Sequence, residues 1–245
     1  MHIEGLDGAQ LLAAGFTRLS GVLTAGECAR FRAMYADDAL FRSTVDMERF
    51  NFGKGQYRYF KYPLPPAVQE LREKLYQRLA PVAGEWAIRL RLAADFPPTL
   101  DAFQKRLRER GQTKPTPLLL RYRAGDYNCL HQDVSKDLSF PYQVVFGLDE
   151  PGKDYEGGQL ILTQQRPRMQ TVPHVLVLPQ GGAVVFTSNF HPEERALPAT
   201  GGARRRVALE AEGKRGFFRT VFRHGVSRIE RGERHTLGIV FHDFK

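Results

Sequence analysis

The N-terminal half of the chain carries apolar residues at helical spacing. Thr24 followed three positions later by Glu27 matches a capping box and predicts a helix that runs to about Leu40. Residues 65–92 open with prolines and then repeat apolar residues every three to four positions, which predicts a second helix. Residues 99–112 predict a third helix for the same reason.

The pattern of the remaining chain alternates instead. Residues 50–62, FNFGKGQYRYFKY, alternate aromatic and polar side chains around two glycines and predict a strand or a hairpin loop. From Pro117 onward, short β-branched or aromatic runs are separated by Gly, Pro and Asp, which favours a β-sandwich or barrel. Residues 188–216, rich in Pro, Gly and Arg, are predicted to form a long loop inserted between strands.

Composition narrows the class of protein. The 245 residues are 42% hydrophobic and 26% charged, and neither a repeat nor a linker divides them, so we expect a single domain over residues 1–245. Two cysteines are too few for a disulfide framework, and no signal-peptide pattern opens the sequence. No apolar run approaches the roughly 18 residues of a membrane span. We therefore expect a monomeric cytoplasmic protein that does not bind membranes.

The charge of the chain indicates an acidic partner. The formal net charge is +9, and residues 195–223 hold eight Arg or Lys residues against Glu210 and Glu212. A basic segment of this kind favours DNA or another nucleic acid, although a solvated charged loop has the same composition.

The strongest candidate for chemistry is His131 with Asp133. Both side chains lie on one face of a strand, because strand side chains alternate with period two. Two such ligands under-coordinate a divalent ion, so a third is expected from a neighbouring strand, and His224 lies in the apolar run FFRTVFRHGVSRI. His235 and His242 are the nearest competitors. Two histidines and one carboxylate form a facial set that leaves positions open on a ferrous ion.

Several segments resemble the 2-oxoglutarate and Fe(II)-dependent oxygenases. YRAGDYNCLHQD is similar to their Tyr-x-x-Gly-x-x-Tyr…His-x-Asp segment, and HGVSRIERGERHTL to their closing His-Gly-Val…Gly-x-Arg segment. EGGQLIL and LPQGGAVVF match the Gly-Gly and Pro-x-Gly stretches between them, so the resemblance covers about residues 117–245. More narrowly, AGDYNCLHQD, QQRPRMQ and RHTLGIVFHD resemble a bacterial group described as oxygenases that act on alkylated DNA.

The resemblance implies an α+β fold and a set of cofactors. Residues 117–245 would form a double-stranded β-helix, a jelly-roll or cupin-like barrel, and residues 1–116 a mainly helical layer packed on its major sheet. The implied cofactor is Fe(II), with 2-oxoglutarate and O2 as co-substrates. The implied metal ligands are His131, Asp133 and His224.

The resemblance also implies a site for 2-oxoglutarate. Arg234 would bind the far carboxylate of the diacid, because a guanidinium fork matches a carboxylate. Thr236 and Tyr122 would assist it. Arg228 and Arg231 are competing cations for the same role. If Arg234 points inward, alternation turns its neighbour His235 outward.

Substrate-facing residues are the next prediction. Residues 47–62 are a candidate lid, in which Arg49, Lys54, Tyr57 and Arg58 line the path to the metal; packing between helices and barrel is the alternative. The basic triplet of the 188–216 loop is predicted to bind phosphates. That triplet consists of Arg204, Arg205 and Arg206.

Three functions remain open from the sequence. The first is hydroxylation of a substrate carbon that leads to oxidative dealkylation of damaged nucleobases in DNA. The second is a protein side-chain (prolyl-type) or small-molecule hydroxylase, since the tyrosine-rich motif also resembles prolyl hydroxylases. The third is a non-enzymatic nucleic-acid-binding β-barrel with a structural metal, which gives no reason for Arg234.

Overall fold

Four α-helices form the N-terminal part of the protein. The computed structural model describes residues 3, 5–133, 137–194 and 216–245, without the side chain of Phe218. Within these ranges, short 3-10 turns also occur at Asp38–Leu40 and Met47–Phe50. The helices are α1 (Gly8–Ala14), α2 (Ala25–Met34), α3 (Pro66–Arg89) and α4 (Leu100–Arg108).

The helix predicted from Thr24 is present but shorter than expected. The capping box with Glu27 is formed on both sides, as the sequence predicts. The prediction that the helix reaches Leu40 is wrong, because α2 ends at Met34. The Asp37 side chain accepts a hydrogen bond from the Ala39 amide at 2.9 Å and starts a separate 3-10 turn.

The strands of the described residues pair into two antiparallel sheets. The major sheet has the order β1-β11-β7-β14-β5-β4-β2, with β8 beside β14, and the minor sheet has the order β10-β9-β13-β6-β3, with β12 beside β13. The strands are β1 (Phe16–Leu19), β2 (Phe41–Asp46), β3 (Gly53–Lys54), β4 (Gln56–Phe60), β5 (Leu118–Arg123), β6 (Tyr127–His131), β7 (Tyr142–Gly147), β8 (Tyr155–Gly157), β9 (Leu160–Gln165), β10 (Val172–Leu176), β11 (Ala183–Thr187), β12 (Phe190–Glu194), β13 (Phe217–Val226) and β14 (Ile229–Val240).

The N-terminal part also contributes strands. β1 extends the major sheet at β11, and β4 with β2 extends it at β5, while β3 pairs with β6 of the minor sheet. Residues 1–116 are therefore built into both sheets as well as forming the helical layer.

Part of the predicted inserted loop is a strand. Residues 190–194 form β12, which pairs with β13 so that Phe190 lies opposite Val221. The prediction of an irregular loop over 188–216 is wrong for these residues. Residues 195–215, which include Arg204, Arg205 and Arg206, lie outside the described residues.

The two faces of β14 have different environments. Its outward apolar side chains join the core cluster that also contains the buried face of α3. Its inward side chains line a cavity between the sheets. The outward residues are Leu237 and Ile239, continued by Phe241 beyond the strand; the inward residues include Arg234, Thr236 and Gly238.

This arrangement confirms the predicted fold class. Two facing antiparallel sheets with helices on the outer side of the larger one form an α+β double-stranded β-helix, or jelly roll. In the described part of the chain, no helix has the length and apolar character needed to cross a membrane.

Candidate active site

The space between the sheets is a cavity of about 500 Å³. β5, β7 and β14 of the major sheet line one side, and β6, β9 and β13 of the minor sheet line the other. Most small-molecule sites in proteins are concave and mainly apolar, with a few converging polar groups. This cavity fits that description, because its polar groups gather in two places, described next.

The first group of polar side chains is the predicted triad. His131 ends β6, Asp133 follows two residues later, and His224 lies directly opposite His131 across the β6–β13 pairing. His131 Nε2 is 3.7 Å from Asp133 Oδ1, and His224 Nε2 is 3.4 Å from Asp133 Oδ2. One nitrogen or oxygen atom from each residue lies within 4.8 Å of the others.

These separations are close to those of ligands that share one ion. Ligand atoms about 2.1 Å from a metal, at angles of roughly 90–110°, are about 3.0–3.4 Å apart. The His224–Asp133 distance of 3.4 Å falls in this range, and the His131–Asp133 distance of 3.7 Å exceeds it by 0.3 Å. Asp133 also remains partly exposed to solvent, so the carboxylate is accessible to an ion. The three side chains therefore fit a divalent metal with a two-histidine, one-carboxylate ligand set.

Neighbouring groups orient the triad. His131 Nδ1 lies 2.8 Å from the Cys129 carbonyl oxygen, which can only accept a hydrogen bond. The ring therefore carries its proton on Nδ1 and presents the Nε2 lone pair to Asp133 and His224. The amide of Gln143, on β7, donates to Asp133 Oδ2 and holds the carboxylate.

Electrostatics favour the protonation states that a metal requires. Burial lowers the pKa of His224 below its ordinary value, against the opposing effect of Asp133. Burial raises the pKa of Asp133, but the imidazoles of His224 and His131 and the Gln143 hydrogen bond outweigh it, so the net pKa is lowered. A neutral imidazole and an ionised carboxylate are the metal-binding forms of these side chains.

The second group centres on Arg234. This side chain is 1% exposed, lines the cavity, and has three guanidinium nitrogens without a hydrogen-bond acceptor among the described residues. Its carbon Cζ lies 5.8 Å from the ring centre of Tyr122 and 5.9 Å from that of Tyr155. Burying a cation without a counter-charge or a hydrogen-bond acceptor costs several kcal/mol, so this site is suited to an anionic ligand.

Tyr122 and Thr236 flank this cation, as predicted. Tyr122 is fully buried and lies opposite Arg234 in the β5–β14 pairing. Its hydroxyl accepts a hydrogen bond from the Asn128 amide at 3.4 Å, and burial raises its pKa, so the hydroxyl keeps a proton to donate. Thr236 is 2% exposed and lines the cavity two residues along β14.

The two competing arginines lie elsewhere. Arg228 donates to the Gly125 carbonyl at 2.7 Å, and Arg231 pairs with Glu156 at 2.6 Å. Neither lines the cavity. His235 also turns away, toward Asp149 on the outer side of the sheet.

The predicted substrate-facing residues divide into two groups. Tyr57 lines the cavity, but the placement of Arg58 there is wrong. Arg58 is buried on the helical side of the sheet, where it donates to the Tyr35 carbonyl and to Asp38, each at 2.5 Å. Neighbouring strand residues point to opposite faces, so Tyr57 and Arg58 do not share the cavity.

The other two cations of this segment lie outside the cavity wall. Arg49 is 81% exposed, and its ion-pair partner among the described residues is Asp46 at 4.0 Å. Lys54 is exposed on β3. Neither lines the cavity, and their predicted role along the path to the metal stays a prediction.

Sequence reasoning did not place Gln143 or Tyr59 at the cavity, and it named His242 only as a competing metal ligand. Gln143 lies in a buried apolar strand, where nothing in the sequence marks it as a cavity residue. Because every second strand residue faces the same side, the inward position of Tyr57 indicates that Tyr59 also faces the cavity, and that of Arg234 indicates the same for His242. The Nδ1 atom of His242 accepts the Phe140 amide at 3.2 Å, which places the ring proton on Nε2. Burial lowers the pKa of His242 to about 4, so this ring is neutral.

A jelly roll that brings two imidazoles and a carboxylate together beside a buried, unpaired arginine has the make-up of a non-haem iron oxygenase. Residues 55–244 match the Oxygenase-NA family, described as "Oxygenase, catalysing oxidative methylation of damaged DNA". The match spans well over half of the chain, and the protein belongs to this family. The enzyme class expected from the sequence is thereby confirmed.

Individual proteins are also similar to this chain. Two uncharacterized proteins, from two strains of Mycobacterium tuberculosis, are each 37% identical over 184 residues, covering 75% of this chain and 71% of the relative. A Pseudomonas putida prolyl-4-hydroxylase has a TM-score of 0.55 at 15% identity, with 97% of both chains covered. A Trichoplax adhaerens prolyl hydroxylase has a TM-score of 0.56 at 13% identity, over 96% of this chain and 87% of the other. These two structures show the fold.

Proposed function

We propose that this protein is an Fe(II)- and 2-oxoglutarate-dependent dioxygenase that hydroxylates alkylated nucleobases in DNA and so removes the alkyl group. The observation that carries the cofactor assignment is the unpaired guanidinium of Arg234, which shares one cavity with the triad. The DNA substrate is supported by the family description and by the net charge of +9.

Each half of the site would hold one component. His131, Asp133 and His224 would bind the ferrous ion, and Arg234 would bind the far carboxylate of 2-oxoglutarate through a forked, charge-assisted contact. Tyr122 and Thr236 would donate hydrogen bonds beside it. When bound, the ferrous ion and 2-oxoglutarate would supply hydroxylation of a substrate C–H bond by O2, in which one oxygen atom enters the substrate and the other enters the succinate that forms, with carbon dioxide, from 2-oxoglutarate.

The substrate's own chemistry completes dealkylation. Hydroxylation of an N-methyl carbon gives a hemiaminal, which releases formaldehyde and leaves the unmodified base. Direct attack on a stacked base is blocked by its neighbours, so a duplex substrate has to extrude the base at a cost of a few kcal/mol. A neutral His242 offers an Nε2–H donor in the cavity for a base acceptor.

The test is succinate formation from 2-oxoglutarate with three substrates: an N-methylated single-stranded oligonucleotide, its unmethylated copy, and a proline-containing peptide. We expect only the methylated strand to stimulate succinate formation and to release one formaldehyde for each succinate formed. Stimulation by the peptide would instead favour the prolyl-type alternative. If neither the methylated strand nor the peptide raises turnover, the small-molecule alternative is favoured.

A matched pair of histidine variants controls this assay. His131→Ala removes a proposed ligand, so it should abolish iron binding and turnover together. His174→Ala removes a half-buried histidine on β10 that does not line the cavity, and it should leave both unchanged. Iron binding retained by His131→Ala would contradict the ligand assignment.

A monomeric cytoplasmic enzyme remains our expectation, and the non-enzymatic alternative is set aside by the family membership.

A further inference from the structure

Two exposed phenylalanines stand at the mouth of the cavity. Phe50 is 56% and Phe52 is 49% exposed, although large apolar side chains are usually buried. Their ring centres are 5.6 Å apart with an interplanar angle of 21°, so the two rings are stacked. Phe52 lines the cavity, and Phe50 extends the aromatic surface outward from it.

The backbone around these rings is held in place. Asn51, between them, has left-handed torsion angles (φ 57°, ψ 29°) and ends the Met47–Phe50 turn. The Phe52 amide donates to the Met47 carbonyl at 3.1 Å. Although Asn51 separates them in sequence, the two rings meet and stack on the same side of the chain.

The same segment is joined to the strand of the metal site. The Cys129 amide donates to the Phe52 carbonyl at 2.9 Å, and Gly53 pairs with Asn128 on β6. A Cβ atom on Gly53 would lie 2.4 Å from the Tyr127 carbonyl oxygen, so only glycine permits this close approach. The aromatic pair is therefore positioned relative to His131, two residues beyond Cys129.

Cations lie on either side of the pair. Arg49 and Lys54 flank the two phenylalanines in sequence and are exposed. The one ion-pair partner of Arg49 among the described residues is Asp46, at 4.0 Å, and within the same ranges Lys54 has no ion pair. An exposed aromatic surface beside exposed cations is the combination that binds single-stranded nucleic acid, by stacking bases and attracting phosphates.

We propose that Phe50 and Phe52 form a stacking platform for an unpaired base next to the target nucleotide, with Arg49 and Lys54 attracting the adjacent phosphates. The inference rests on the proposed function, because it assumes a nucleic-acid substrate. Base–aromatic stacking contributes about 1–3 kcal/mol per base and tolerates any base. The platform therefore favours single-stranded over fully paired DNA, whatever the lesion in the cavity.

Binding of a fluorescein-labelled, unmethylated single-stranded oligonucleotide to the full chain, loaded with Mn(II) and 2-oxoglutarate, tests the platform. We expect Phe50→Leu and Phe52→Leu each to weaken binding about tenfold, since leucine keeps apolar bulk but not the stacking face. Phe50→Trp should retain or tighten binding. The matched control is Ile88→Ala on α3. It truncates an apolar side chain that is 72% exposed and does not line the cavity.

A second readout separates stacking from general adhesion. An oligonucleotide carrying 2-aminopurine should lose fluorescence on binding the wild type and regain most of it with Phe50→Leu. Lys54→Gln should instead reduce the salt dependence of binding by about one counterion. Wild-type oligonucleotide binding by both leucine variants would overturn the platform. It would also be overturned if the leucine variants kept oligonucleotide binding and lost binding of a proline-containing peptide instead.

The outcomes also distinguish this inference from the proposed function. If the leucine variants lose oligonucleotide binding while the methylated strand never stimulates turnover, the platform stands and the dealkylation proposal fails. If the methylated strand is turned over and the leucine variants bind and react like the wild type, the platform fails and dealkylation stands.

Discussion

Two buried arginines, Arg72 beneath the helical layer and Arg234 in the cavity, have opposite surroundings. Arg72 is fully buried and Arg234 is 1% exposed, so each loses its hydration on folding. Every nitrogen of the Arg72 guanidinium has an acceptor, whereas none on Arg234 has one among the described residues. The acceptors of Arg72 are the carbonyls of Val240 and Phe241, the hydroxyl of Tyr62 and the carboxylate of Asp243.

The difference separates a structural charge from a functional one. Arg72 joins α3 to the segment that follows β14, and its partners come from the protein itself. Arg234 keeps its donors free at the cost of stability, which an anionic ligand would recover. Burial alone therefore does not identify a binding site; burial without a partner does.

The largest effect is expected at Arg72. Arg72→Met leaves the Asp243 carboxylate buried without its cation, so the free energy of unfolding should fall by about 3–5 kcal/mol. Urea titration of the metal-free protein measures it. Adding Asp243→Asn to Arg72→Met should recover part of the loss, because the uncompensated charge is then removed. A loss below about 1 kcal/mol would contradict a structural ion pair.

Ligand binding provides the next test of the comparison. Arg234→Met should weaken 2-oxoglutarate at least 100-fold, about 3 kcal/mol, because its carboxylate loses a forked cation. Anaerobic titration calorimetry with Mn(II) measures this affinity. Arg231→Met is the matched control, since it removes an exposed cation of the same strand and should change affinity little. Normal affinity in Arg234→Met would refute the assignment.

The stability of the ligand-free protein is a further test of the difference between Arg72 and Arg234. Arg234→Met should leave the ligand-free protein at least as stable as the wild type, with a gain of about 1 kcal/mol, because an uncompensated buried charge is removed. At a concentration 100 times the dissociation constant, 2-oxoglutarate should add about 2.7 kcal/mol to the metal-loaded wild type. Thermal and urea unfolding would show both. A clear loss of stability in ligand-free Arg234→Met would mean that the arginine has structural partners.

The smallest expected effect is on the pH dependence of stability, and it concerns a third buried basic side chain, the imidazole of His191. Burial lowers the pKa of His191, on β12, to about 4. The unfolded chain takes up this proton near pH 6.5 and the folded chain near pH 4, so stability is complete above pH 6.5 and falls as the pH drops between these values. Between pH 7 and 5.5 the loss from this group is about 1 kcal/mol.

Comparing wild type with His191→Gln by urea titration at both pH values isolates that loss. The variant should lose about 1 kcal/mol less than the wild type over this range. Equal losses in the two proteins would show that His191 is not held neutral by the fold.

Local pattern predicted most of the metal half of the site. The shared face of His131 and Asp133 follows from period two along strands, and His224 was indicated by its place in an apolar run. The inward position of Arg234 was implied by the resemblance to the oxygenases. The structure brings all four residues to one cavity. The period-two rule, applied consistently, would have replaced Arg58 with Tyr59. Gln143 was not predictable, because its contact with Asp133 depends on how β7 packs in the sheet.

The sequence by itself determined which side chains share a face. Arg72 falls on the apolar face of α3 and Arg234 on the inward face of β14, since helical and strand periodicity are local properties of the chain. Only the tertiary structure decided that the guanidinium of Arg72 has hydrogen-bond acceptors and that of Arg234 has none among the described residues. The acceptors from the C-terminal end lie 168–171 residues from Arg72, and pairing at that distance is set by how the layers pack.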